Sequence, residues 1–268
     1  MNEITMLGTG AAMVTRCYNT CFTISSKDEY FLIDTGGGNT ILSNLEKMDI
    51  PINKIHDVFI SHSHNDHVTG IVWIIRAVAQ QIINGNYNGK LNIYCHRDVV
   101  DIIRTISKLL LQKKFVDHID KDIVFVEVYD GCKLNILDID IQCFDIKSTK
   151  LLQFGFVAKF NNGKKLTFLG DEPFNENLIN YAYKSQYLMH EAFCLYSEKE
   201  KFKPYEKHHS TVKDACENAS KLEVENVILF HSEDKNLKQR KKLYAEEGKK
   251  YFDGKIIVPD DLEIIKIQ

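Results

Sequence analysis

The sequence contains only four prolines and one tryptophan in 268 residues, and no Pro- or Ser-rich stretch that reads as a linker. It has no internal repeat and no low-complexity segment. Long apolar runs are missing as well. The most apolar stretch, 68–79, is short and contains Arg76, whereas a helix that crosses a bilayer needs about 20 apolar residues. Neither sign of charge dominates, since 34 Lys and Arg stand against 37 Asp and Glu for a net charge of −3. Overall charge therefore points to no polyanionic partner. Disorder is excluded by the balance of 44% hydrophobic and 26% charged residues, close to the average globular protein.

Seven cysteines are scattered, and only Cys17 and Cys21 lie close together. No second pair or spaced His completes a zinc-finger pattern. The start, Met1-Asn2-Glu3-Ile4, has no signal-peptide character, so reduced, mostly buried thiols in a cytoplasmic protein are expected. A chain of this length buries roughly 70–75% of its unfolded surface and needs no staples. A single domain over 1–268 is expected.

Strand-like runs at 3–7, 21–25, 30–33 and 55–60 dominate the first third, and apolar spacing predicts a helix over 68–83. A strand at 91–95 and an amphipathic helix at 98–111 follow. Several β-rich runs then fill 123–169, with turns at Asp130-Gly131 and Asn161-Asn162-Gly163. The last third alternates: strand 187–189, helix 211–221, strand 227–230, charged helix 237–247, strand 256–258. Two strand-rich halves with interleaved helices predict an α/β protein of two sheets packed face to face, with helices outside.

The informative segment is Ser61-His62-Ser63-His64-Asn65-Asp66-His67, directly after an apolar run. In extended chain, residues i and i+2 point the same way, so His62 and His64 can offer two imidazoles to one cation. Asp66 and His67 lie where the chain turns toward the next helix and can reach a second point nearby. Imidazole and carboxylate are donors for Zn or a similar transition metal. Two further strand ends carry the same kind of donor: 166–169 runs into Gly170-Asp171, and 227–230 runs into His231. A strand-terminal Asp alone is more often a turn residue. Together with the loop, these two supply a bridging carboxylate and a terminal ligand for a second metal.

With those residues in view, the sequence resembles the metallo-β-lactamase fold superfamily, and within it the branch around ribonuclease Z. The resemblance runs through Leu7-Gly8-Thr9-Gly10-Ala11-Ala12, Leu32-Ile33-Asp34-Thr35-Gly36, the His62-to-His67 motif, Gly170-Asp171, His190-Glu191-Ala192, His209-Ser210-Thr211 and Phe230-His231. It implies a four-layer αββα sandwich with the site at the strand ends. One metal would take His62, His64 and Asp171, and the other Asp66, His67, Asp171 and His231. His209, which by itself reads as a surface residue of the Lys207-His208-His209-Ser210 turn, would donate a proton to the leaving group, oriented by Glu191. His56, His96, His118 and His208 read as structural or solvated.

Two departures from that family stand out. Its members supply another His to the first metal shortly before a Phe-Gly pair, but the stretch before Phe154-Gly155 reads Asp145-Ile146-Lys147-Ser148-Thr149-Lys150-Leu151-Leu152-Gln153. The expected slot falls at Thr149, or at Lys147 in another register, so the first metal position is expected to be the weaker. Members that process tRNA also carry a long arm before the bridging Asp, and 156–169 leaves no room for one. The Lys/Arg cluster between 235 and 250 is interrupted by Glu246 and Glu247 and reads as a solvated helix face.

The expected activity is a metal-dependent hydrolase in which a metal-bound hydroxide attacks an electrophilic centre. Asp66 would hold the water and His209 would protonate the leaving oxygen. A proton donor suits a phosphodiester, whose alkoxide leaving group needs a proton. The expected cofactor is Zn2+, one or two per chain, with Mn2+ or Fe as alternatives. A small or nucleotide-like phosphodiester ranks ahead of structured tRNA. Lactone or ester hydrolysis, or metal binding with little catalysis, are further readings. No membrane partner is expected, and a homodimer stays open.

Overall fold

The computed structural model describes residues 2–268; residue 1 lies outside the described residues. Its strands are β1 (Asn2–Gly8), β2 (Cys21–Ser26), β3 (Glu29–Ile33), β4 (Ile55–Ile60), β5 (Leu91–Cys95), β6 (Ile123–Glu127) and β7 (Lys133–Ile136). They continue with β8 (Ile139–Asp145), β9 (Phe154–Lys159), β10 (Lys165–Phe168), β11 (Tyr187–Glu191), β12 (Asn226–Phe230), β13 (Lys255–Ile257) and β14 (Glu263–Ile267). They build two seven-stranded sheets, one in each of two compact units. The first unit comprises the chain up to Gly8, Tyr18–Tyr129 and Leu262–Gln268; the second comprises Thr9–Cys17 and Asp130–Asp261.

In the first unit the order is β14-β1-β2-β3-β4-β5-β6. The first three connections are antiparallel, and β3 to β6 run parallel. Parallel neighbours need crossovers, supplied by the helices Thr40–Lys47, Ile71–Ile83 and Arg97–Leu110. Ile74, Ile75 and Val78 on the middle helix and Ile103 on the last pack with Val58, Ile60, Leu91 and Ile93 of the sheet. The alternate strand positions Ile4, Phe22, Phe31 and Phe59 are buried too. Burial on both faces is why these strands read as continuous apolar runs.

The expected helix over 68–83 is interrupted. Asn65–Val68 is a single turn, and the long helix begins only at Ile71. The break lies at Gly70, whose N–H donates to the Gly36 carbonyl at 2.9 Å. A Cβ there would sit 2.0 Å from the Thr35 carbonyl oxygen, so only glycine lets the chain pass. The helix Thr40–Lys47, with Ile41, Asn44 and Leu45 buried, and the edge strand β14 are additions to the expected elements.

In the second unit the order is β13-β12-β11-β10-β9-β8-β7. β7 to β10 form an antiparallel meander, and β10 to β13 run parallel. The helix Val212–Lys221 joins β11 to β12 and opens on a capping box: Thr211 accepts from the Asp214 N–H, and Asp214 accepts from the Thr211 N–H at 2.8 Å. The helix Arg240–Gly248 joins β12 to β13 and starts three residues later than its charge pattern predicts. Residues 237–239 form a turn instead. β9 and β10 are joined only by a tight turn at 160–164, so nothing is inserted before Asp171. No disulfide joins any of the seven cysteines, and all but Cys17 are buried.

Candidate metal centre

In the first unit the chemistry gathers at the C-terminal ends of β3 and β4, the edge where parallel sheets present their loops. Past β4 the chain stays extended through His64, so the His62 and His64 side chains meet: His62 Nε2 lies 3.0 Å from His64 Nδ1. His67 Nε2 lies 3.4 Å from Asp66 Oδ2. Nitrogen ligands of a tetrahedral zinc, each about 2.0–2.1 Å from the metal, stand about 3.3 Å apart. The two pairs, at 3.0 and 3.4 Å, lie within a few tenths of an ångström of that spacing.

Behind these atoms runs a hydrogen-bond chain centred on Asp34. Its Oδ2 is 2.8 Å from His67 Nδ1 and also accepts from Ser61 Oγ at 2.8 Å, while Oδ1 accepts from the Ser61 N–H. Ser61 Oγ in turn lies 2.9 Å from His62 Nδ1. Because the serine hydroxyl gives its proton to Asp34, it can only accept from His62, so both imidazoles carry their proton on Nδ1. That leaves each Nε2 with its lone pair, beside His64 for His62 and beside Asp66 for His67, the arrangement that supports metal-bound histidines. Asp34, Asp66, His62 and His67 are all buried, and His64 is half-buried. Buried carboxylates at this density require hydrogen bonds, partner charges or a cation, and the donor set suits a divalent metal. Asp34 itself sits at φ +54°, a backbone strain that places its carboxylate under the loop.

The second unit presents donors at the ends of β10, β11 and β12. Asp171 follows Gly170, whose φ of +80° turns the chain at the end of β10. Its Oδ2 lies 3.6 Å from His231 Nε2, and both residues are buried. His231, just past β12, is held at φ +56°. The ring of His209 lies 5.2 Å from that of His231 and stacks on Phe193. His209 Nδ1 is 3.6 Å from the buried Glu191 Oε2, and Glu191 Oε1 accepts from the Ser210 N–H. Burial disfavours the charged imidazole, but Glu191 outweighs it and Asp171 adds to the effect, so the His209 pKa is raised despite opposition from Lys150. His209 is therefore not the surface residue that its turn suggests. His190 is turned elsewhere, toward the Glu191 carbonyl at 2.7 Å and Asn218 at 3.0 Å, and burial lowers its pKa.

The loop that lacks the third histidine is organised around Glu172. Glu172 Oε1 accepts from Ser148 Oγ at 2.7 Å and Gln153 Nε2 at 3.2 Å, and lies 3.8 Å from Lys150 Nζ. Thr149 is exposed, 3.4 Å from His208 Nδ1. Lys147 turns to Asp145 at 2.9 Å and Asp130 at 3.7 Å, so it offers no alternative donor. His56 rests on Glu29 and Tyr87, His96 caps a helix and His118 pairs with Asp122. The role of Asp34 is the part that residue types alone left unassigned. Its signal was the same one that marked Asp171, a carboxylate at a strand end beside glycine.

A family model described as "Anti-Pycsar protein Apyc1" matches residues 2–251. Ribonuclease Z of Enterococcus faecalis is 26% identical over an alignment of 313 positions that covers 99% of this chain and 97% of the relative. Among solved structures, the metallo-β-lactamase fold protein YhfI of Bacillus subtilis superposes with a TM-score of 0.80 at 16% identity, covering 98% of both chains. Human tRNase Z, short form, gives 0.76 at 20% identity and covers 99% of both. At such identities the structural likeness shows the fold, which is the α/β fold of the metallo-β-lactamase superfamily.

Proposed function

The chain belongs to the anti-Pycsar protein Apyc1 family and is a metal-dependent hydrolase of the ribonuclease Z-like branch, and we propose that phosphodiesters are the bonds it cleaves. The observation that carries this reading is the pairing of strand-end donors, Asp171 and His231, with a buried acid–base couple, His209 on Glu191. In this reading His62, His64 and Asp171 hold one cation, and Asp66, His67, Asp171 and His231 hold another, with Zn2+ the first choice and Mn2+ or Fe alternatives. Bound there, such a cation acidifies water and withdraws charge from a phosphoryl oxygen.

The protein's own groups supply the rest. Asp66 accepts a hydrogen bond from the attacking water and orients it. His209, kept protonated by Glu191, gives its Nδ1 or Nε2 proton to the departing alkoxide, and Glu191 fixes the ring's direction. An ester of an acidic phenol would need no such donor, which favours alkyl phosphodiesters. A small or nucleotide-like substrate fits the short turn between β9 and β10 better than a folded tRNA does.

The test is turnover of bis(p-nitrophenyl) phosphate by protein supplied with Zn2+ or Mn2+. Hydrolysis that a chelator abolishes and added metal restores is the expected result. Metal-replete protein that turns over no phosphodiester would instead support the reading of a metal-binding protein with little catalysis. Cleavage of a tRNA precursor on a gel would favour the ribonuclease Z-like alternative.

A further inference from the structure

Beyond His231 the chain runs through Ser232, Glu233 and Asp234 into a basic cavity of about 740 Å³, lined by Arg16, Lys235, Asn236, Leu237, Lys238 and Gln239. That volume lies within the roughly 300–1,000 Å³ of small-ligand sites. The lysines at 235 and 238 belong to the charge cluster that reads from sequence as a solvated helix face. The structure separates them from it, because the helix starts only at Arg240 and they line the cavity instead.

The cavity is fastened in place by two buried acids. Asp234 Oδ2 accepts from the Thr15 N–H at 2.7 Å and the Arg16 N–H at 3.0 Å, tying the segment that carries Arg16 to the loop that carries the lysines. Glu233 accepts from the Lys235 and Asn236 N–H groups. Lys235 also pairs with Asp234 at 3.2 Å. Setting that pair aside, Arg16 and Lys238 still leave the lining with a surplus of positive charge, and no acid is among its lining residues. On a chain of net charge −3, such a pocket, whose lining begins four residues after the strand-end His231, is a local departure. Cations for phosphate oxygens, two amides and one aliphatic side chain are the donor set of a phosphate-bearing ligand.

We propose that this cavity is a substrate subsite that holds a second, non-scissile phosphate next to the phosphodiester being cleaved. The proposal rests on the phosphodiesterase reading above and names a feature of its substrate: a nucleotide-like diester carrying a further phosphate.

The test uses the metal-loaded protein and a thymidine dinucleotide with and without a 5′-phosphate. The phosphorylated form is expected to have the lower KM, by at least about tenfold, the worth of one charge-assisted hydrogen bond. The triple variant Arg16→Ala/Lys235→Ala/Lys238→Ala should lose that preference. The charge-matched control Lys242→Ala/Lys249→Ala/Lys250→Ala, on and beside the helix, should keep it. In parallel, equilibrium dialysis with labelled inorganic phosphate should show weaker binding to the cavity variant and unchanged binding to the control. Equal loss in both variants, or phosphate binding untouched by the cavity variant, overturns the subsite. Wild-type protein that binds phosphate through these residues yet treats both dinucleotides alike assigns the cavity to a separate anion and overturns the substrate role. Should the wild type cleave neither dinucleotide, the phosphodiesterase reading fails, and the dialysis still decides whether the cavity binds phosphate.

Discussion

Asp34 holds His67 by its Nδ1, at 2.8 Å, and through Ser61 it also sets the tautomer of His62. One carboxylate thus aims two imidazoles from beneath the loop. Asp34→Asn keeps a residue tolerant of the positive φ but cannot accept both protons in the same way. Its expected effect is a 10- to 100-fold loss in metal affinity, the usual range for groups that support a ligand. Competition against a chromogenic chelator measures it; an unchanged affinity would remove Asp34 from the site.

Asp171→Ala should abolish hydrolysis and strip most of the bound metal while the fold survives. A carboxylate shared by two cations leaves them facing each other with too few donors once it is gone. Metal content and rate both within about threefold of wild type, under 1 kcal/mol, would refute the bridging assignment. Circular dichroism checks the fold.

His209→Ala separates acid catalysis from binding. Alkyl phosphodiesters should slow by about 10²–10⁴-fold, whereas p-nitrophenyl esters, which leave without help, should slow far less. Equal losses on both would point to a structural role.

In the proposed reading, the first metal position would take His62, His64 and a shared Asp171, and the second Asp66, His67, His231 and the same Asp171. Thr149, exposed beside His208, adds no imidazole. The first ion is therefore expected to be lost on dialysis before the second, and Thr149→His should raise its retention. Two ions per chain that resist a mild chelator in the wild type would contradict this.

Asp234 fastens the segment carrying Thr15 and Arg16. Burial tends to raise its pKa, but the two N–H donors and Lys235 outweigh it, and the net shift is downward. A depressed carboxylate stabilises the fold above its unfolded pKa of 3.8 and loses that contribution as pH falls through the lower folded value. Asp234→Ala should cost about 1.5–3 kcal/mol at neutral pH. Thermal melts of the two proteins should converge as pH drops below that window; a gap independent of pH would mean the charge is not involved.

Much of the site was present in the order of residues. A His-x-His in extended chain must put two rings on one side, and a strand that ends in Asp171 or His231 must offer its donor at the sheet edge, because both follow from backbone geometry over a few residues. Strand limits such as 55–60 and 91–95 were equally local, fixed by apolar runs buried on both faces. What the sequence could not decide were relationships between distant segments. The break at Gly70 exists because Thr35 approaches it. The tautomers of His62 and His67 depend on Asp34, some thirty residues earlier, and the depth of His209 depends on Phe193 and Glu191. Lys235 and Lys238 line a cavity only because Asp234 ties their loop to Arg16, 218 residues away. Periodicity reports on neighbours within a turn or a strand, whereas proton positions, burial and pocket shape are set by whichever segments the fold brings into contact.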